Sequence, residues 1–113
     1  MIDEIRNYHY DPEKFAVYKE WALSEAVPFL KANLNVIGFW LDSGEPSEIS
    51  GSNPMDLSLG SANVTWIIRW KDMEDRTKGH AQVFQSKGWM DIWSRHPDAD
   101  GYLQMEAKFA EAV

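Results

Sequence analysis

The stretch Asn63-Val-Thr-Trp-Ile-Ile-Arg-Trp70 constrains the fold more than any other, because its large apolar groups recur at every second position. Side chains alternate along a strand, so Val64, Trp66, Ile68 and Trp70 share one face, and Ile67 falls with Thr65 and Arg69 on the other. A small domain has one layer of helices, enough for one side of a sheet. Apolar groups on both sides call for a second cover, and the expectation is a second copy of the chain that closes a pocket.

At 113 residues the chain makes one domain, 1–113, with room for a single core. Six Trp, five Phe and four Tyr ask for more buried surface than such a core offers. The formal charge of −7 excludes non-specific nucleic-acid binding, which needs a basic face. Apolar runs fall far short of the roughly 20 residues that span a bilayer, and Asp3 and Glu4 stand where a signal segment would be basic and then apolar. A soluble, cytoplasmic protein is expected. With no Cys, thiolate nucleophiles, disulfides and Cys-based metal sites are excluded.

Residues 2–10 alternate as a strand, with Glu4, Arg6 and Tyr8 on one face and Ile5, Asn7 and His9 on the other. Asp11 and Pro12 supply a cap and a first helical position. The spacing of Phe15, Tyr18, Ala22, Ala26 and Phe29 then predicts a helix, kinked or ended at Pro28 and left by Asn33 and Asn35. Val36 to Leu41 reads as a second strand, with Gly38 where a bulky ring or a neighbouring backbone comes close. The connection at 42–61, rich in Gly, Ser, Pro and acid, has the length of a lid or a mobile loop.

After the strand at 63–70, Asp72 and Asp75 open a helix reaching about Ser86, whose apolar side is Met73, Ala81 and Phe84. Gly88 breaks it, Trp89 to Trp93 adds a helical turn or two that Pro97 stops, and Tyr102 to Phe109 alternates as a last strand. The order βαββαβ is the ferredoxin-like α+β arrangement, a four-stranded antiparallel sheet with both helices on one face.

On this reading Tyr8, Trp66, Ile68 and Trp70 occupy the face away from the helices, an apolar patch large enough to mark association. Two sheets meeting about a twofold axis and burying roughly 1,500 Å² would make a stable homodimer, with an aromatic-walled cavity between them in which Arg6 and Glu4 are the sharpest polar features.

Several short motifs resemble the NIPSNAP proteins of the dimeric α/β-barrel superfamily. They are Glu4-Ile-Arg-Asn-Tyr8, Ile37-Gly-Phe-Trp40, and Ile68-Arg-Trp70 followed by Asp72-Met-Glu-Asp-Arg76, with the Trp89 region where that family often has an aromatic helix. The resemblance covers most of residues 2–95, and the last strand matches by position only. Trp66 and Ile68 stand where such proteins often carry His and then Trp, which puts histidine-dependent chemistry at that place in doubt, and the 42–61 connection looks longer than usual. The resemblance implies a fold and a dimer more than an activity, since the superfamily includes cofactor-free monooxygenases, cyclases, isomerases, haem enzymes and proteins without a known reaction.

The candidate site centres on Glu4, Arg6 and Tyr8, which project to one side of a strand. Arg can hold a carboxylate or enolate, Tyr can donate a proton, and Glu can act as a base if burial raises its pKa. The plainer reading makes Glu4 and Arg6 a cross-strand or intersubunit ion pair that fixes register. Phe39, Trp66 and Trp70 are candidate ligand-contacting walls, and Trp66 and Trp70 serve equally as dimer core. Arg76 reaches the sheet edge or the partner, or pairs with Asp72.

Of the three histidines, His9 should point toward the helices, His96 lies in a loop before Pro97, and His80 on the second helix is the one worth testing. None has a metal-binding spacing, and no cofactor or metal is expected. Two functions are open: binding of a small apolar or aromatic molecule, with cofactor-independent catalysis as an extension, or a non-catalytic dimeric module with a filled interior. Haem binding is a distant third.

Overall fold

The computed structural model describes residues 1–55 and 58–113. Strand β1 (Ile2–Tyr10) leads into a 3-10 turn at Pro12–Lys14, where the Asp11 carboxylate accepts the Glu13 N–H at 3.0 Å. Helix α1 (Phe15–Trp21), a π-helical turn (Ala22–Ala26) and helix α2 (Val27–Asn33) follow without a break. Then come β2 (Val36–Leu41), β3 (Val64–Trp70), α3 (Met73–Phe84), α4 (Lys87–Trp93) and β4 (Tyr102–Glu111).

The π turn explains how Pro28 is tolerated. Proline cannot donate to the carbonyl four residues back, and its ring presses on that carbonyl. Here the preceding turn is widened, with the Val27 N–H bonding to Ala22 O, and the helix carries on past Pro28 to Asn33. The wider turn also advances the buried stripe by one residue. Tyr18, Trp21, Ala22, Ala26 and Leu30 are buried, while Phe29, the position expected from an unbroken α-helical period, is only part-buried.

All strand pairs are antiparallel, in the order β2-β3-β1-β4. Glu4 pairs with Ile68 and Phe109, and Tyr8 with Val64 and Met105. One face of the sheet therefore carries Glu4, Arg6, Tyr8, Trp66, Ile68 and Trp70, as alternation predicts. The helices cover this same face: Trp66 is 2% and Trp70 6% exposed, and Val64 and Ile68 are fully buried, in one core with Trp21, Ala26, Leu30 and Val83.

This corrects the expectation that these groups face away from the helices and wait for a second subunit. Parity says which residues share a face and not which face the helices take. The other face is the more polar of the two, with Asp3, Asn7, Thr65 and Arg69 beside Ile5 and Ile67. It also carries His9, expected to point at the helices. The His9 ring instead bonds through Nε2 to the Gly60 carbonyl at 3.0 Å.

Helix α3 opens as expected, with Asp72 accepting the Asp75 N–H at 2.8 Å. Its inward side is Arg76, Gly79, His80, Val83 and, as expected, Phe84, while Met73 is exposed. The break before α4 falls at Ser86 rather than Gly88: the Ser86 hydroxyl accepts the Trp89 N–H at 3.2 Å and caps the next helix. Gly88 instead meets the Phe29 ring, where an added Cβ would lie 2.8 Å from Cε2.

Gly38 lies under the Trp40 indole, as its place in the strand suggested. In the 42–61 connection the described residues form neither helix nor strand, and the expectation of a lid falls partly on 56–57, outside the described residues. Its far end is tied down, since the Asn63 side chain bonds both Tyr10 N–H (2.8 Å) and Tyr10 O (2.7 Å).

Candidate functional site

Glu4 is fully buried, and a lone carboxylate there would be prohibitive. Four donors satisfy it. Trp70 Nε1 donates to Oε1 at 3.0 Å, Arg6 Nη1 donates to Oε2 at 2.9 Å, and Arg76 approaches as a fork, Nε to Oε1 and Nη2 to Oε2, both at 3.1 Å. Burial pushes the Glu4 carboxyl up, but the Arg76, Arg6 and Trp70 donors outweigh it and hold the group below the ordinary glutamate value. Glu4 is thus a fixed anion rather than a base.

Arg6 is expected to pair with Glu4, and does so along one strand. Arg76 joins the pair from α3 instead of bonding Asp72, whose carboxylate is occupied in capping. The cluster ties β1, β3 and α3 together.

Beyond Arg6 the chain of contacts reaches Tyr8. Arg6 Nε donates to the Tyr8 hydroxyl at 2.6 Å and Trp66 Nε1 donates to it at 3.0 Å. The guanidinium also sits 5.5 Å from the Trp66 ring centre and 5.7 Å from that of Tyr8. Burial raises the Tyr8 pKa against the opposing pull of Arg6 and Trp66, so the hydroxyl stays protonated at neutral pH.

Arg6 and Tyr8 open onto a cavity of about 640 Å³ between the sheet and the helices of the same chain. Its sheet-side wall includes Trp66 and Phe39, stacked with ring centres 5.3 Å apart. Its helix-side wall includes Trp21, His80, Phe84, Trp89 and Trp93. Edge-to-face contacts hold much of that wall rigid, among them Phe84 to Trp89 (5.2 Å) and Trp21 to Trp93 (6.0 Å), and Trp21 Nε1 donates to Ile92 O at 3.1 Å.

Of the candidate residues, the structure brings Arg6, Tyr8, Phe39 and Trp66 to the cavity. Glu4, Trp70 and Arg76 form the layer behind them. Trp70 packs under α3, where a Cβ on Gly79 would lie 2.5 Å from its ring. The cavity also lies within a single chain, between its sheet and its own helices, which follows from the face the helices take.

His80 reaches the cavity, as the expectation for that residue allowed. Its ring lies against Phe84 with centres 4.6 Å apart, and burial first, then the Arg76 and Arg6 charges, lower its pKa, so it is neutral at pH 7. Its position one turn beyond Arg76 was a usable signal, since i and i+4 share a helix face. His96, expected in a loop, packs against Trp21 and Trp93, with centres 4.4 and 4.5 Å away. Its Nδ1 accepts the Asp98 N–H at 3.1 Å, so Nε2 carries the hydrogen and donates to the Tyr102 hydroxyl at 2.9 Å. Trp21, Trp89 and Trp93 went unassigned to the site because each lies on a helix whose facing could not be read locally.

Among the described residues no group of three His, Cys, Asp or Glu side chains is placed to hold a metal, and no helix is long and apolar enough to cross a membrane. No protein-family model and no curated protein matches the chain. Solved structures do. It is similar to an uncharacterised NIPSNAP domain protein from Burkholderia xenovorans, with a TM-score of 0.72 and 16% identity over 100% of this chain and 95% of that one.

A NIPSNAP family protein with unknown function from Agrobacterium tumefaciens C58 gives a TM-score of 0.72 and 20% identity, covering 100% of this chain and 88% of that one. A second from the same strain gives 0.72 and 17%, covering 99% and 85%. At these identities the likeness speaks for the fold, and the chain has the ferredoxin-like α+β fold of the solved NIPSNAP proteins.

Proposed function

We propose that this protein is a cytoplasmic homodimer that binds a small apolar or aromatic organic molecule in the cavity between the sheet and helices of each subunit. The observation that carries the reading is the cavity itself. About 640 Å³ lies within the range of ligand sites, roughly 300–1,000 Å³, and aromatic walls with a few convergent polar groups are what such sites use for orientation.

A neutral, apolar fluorophore such as N-phenyl-1-naphthylamine tests it. Saturable enhancement at one molecule per subunit is expected, and Ala26→Phe, which fills the buried floor of the cavity, should abolish it. No saturable binding to the native chain would sink the proposal.

Self-association is supported by the uncovered sheet face, where Trp40 is 52% exposed and Ile5 and Ile67 are only part-buried. Sedimentation should give a dimer that Ile67→Asp converts to monomer. A native chain that stays monomeric at high concentration would refute this half, leaving the cavity reading intact.

A further inference from the structure

The ion cluster does not balance. Glu4 supplies one negative charge, Arg6 and Arg76 one positive charge each, and neither arginine has a second acid within salt-bridge distance among the described residues. One positive charge is left over behind the wall of an apolar cavity. No Asp or Glu among the described residues lines that cavity, and His80 on its wall is neutral at pH 7.

Unused donors stand at the same place. Among the described residues both hydrogen bonds at the Tyr8 hydroxyl are ones it accepts, so its own proton remains to be given. Arg6 uses one N–H on Tyr8 and one on Glu4, and its other guanidinium hydrogens have no partner among the described residues. A part-buried group with donors in excess and a net positive charge is complementary to an acceptor that carries negative charge.

Resting on the cavity reading, we infer that the ligand is a monoanion: an apolar or aromatic body bearing one acidic oxygen group, a carboxylate or an enolate, held by Arg6 and the Tyr8 hydroxyl. The aromatic walls take the body. Glu4 sets the valence, because it cancels one of the two arginines and leaves charge for a single anion. Arg76, forked onto Glu4 from behind, keeps that carboxylate from drawing Arg6 away from the cavity.

Competition against the neutral fluorophore separates this inference from the reading it rests on. In the native chain 2-naphthoate should displace the probe about tenfold more tightly than its neutral isostere 2-naphthamide. Arg6→Gln removes the surplus charge while Arg76 and Trp70 still satisfy both Glu4 oxygens, so it should fold, as circular dichroism can verify, and the preference should shrink to within about threefold. Tyr8→Phe removes the donated proton and not the charge, so naphthoate should weaken several-fold with the preference retained.

Equal affinity for the two naphthalenes in the native chain overturns the monoanion assignment while leaving the cavity site standing. A preference that survives Arg6→Gln undiminished overturns it as well. If neither the fluorophore nor either naphthalene binds, the cavity reading fails and this inference with it.

Discussion

Two carboxylates, Asp3 and Glu4, sit side by side on β1, and each meets an arginine in a forked pair, yet they face opposite sides of the sheet. On the uncovered side Asp3 takes Nε and Nη2 of Arg69 at 2.8 and 2.9 Å, one acid to one base, between strands β1 and β3. On the covered side Glu4 takes two arginines and an indole. The first is closed on itself and does no more than hold register. The second has a fully buried carboxylate between two part-buried arginines, is over-supplied with positive charge, and touches residues that line a cavity, so it fixes the position of the cavity wall.

The contrast makes graded predictions. Glu4→Ala should be the most damaging, since it leaves two guanidinium groups beneath the core without their anion, and the loss should be about 3–5 kcal/mol by urea unfolding. Next in size is Gly79→Ala. The added Cβ would stand 2.5 Å from the buried Trp70 ring, which its bond to Glu4 pins in place, and a cost of about 1–3 kcal/mol is expected. Gly38→Ala on the other side meets the exposed Trp40 ring, which can swing away, and should cost less than Gly79→Ala. A reversal of that order in the same unfolding series would break the comparison.

Acid should act mainly through the covered side. His80 and His96 have folded pKa values below 6.5, so what they contribute is present above that value and lost as pH falls. Glu4, also depressed, contributes above about its unfolded value of 4.5 and is lost as pH drops through its lower folded value. Stability should therefore decline in two stages on acidification, the first carried by the histidines and the second by Glu4. Thermal unfolding from pH 7.5 to 5 should show it, and His80→Asn should flatten the first stage in part. A flat native profile over that range would contradict it. The smallest effect belongs to Asp3→Asn, whose urea midpoint should move several-fold less than that of Glu4→Ala.

Much of this was legible in the chain. Alternation placed all four strands, and Asp11, Asp72 and Pro12 marked helix starts, because these signals are local. The side of the sheet that the helices take is not local. The missed clue was polarity: Asp3, Asn7, Thr65 and Arg69 together made the other face the wetter one.

The helical stripe was read one residue out of step at Phe29 because a π turn has no signature in a 3.6-residue period, although Pro28 hinted at some accommodation. At the candidate site, parity groups Arg6 with Tyr8 on one strand, while Trp66 and Phe39 join them through the register of β3 and β2. Trp21, Trp89 and Trp93 could not, since their convergence depends on how α1 and α4 cross the sheet. The destination of Arg76 was open for a similar reason, and only the occupation of Asp72 as a cap argued against the nearer partner.

Strand β4 borders the sheet for its full ten residues, Tyr102 to Glu111, and hydrogen-bonds a neighbour on one side only. A rim of bare amide and carbonyl groups that long invites foreign strands to add on. Glu106, Lys108 and Glu111 interrupt it at short intervals, so a stranger laying itself along that border would have to strip water from a charge every few residues. Neutralising those positions would open that border to added strands and favour fibrils.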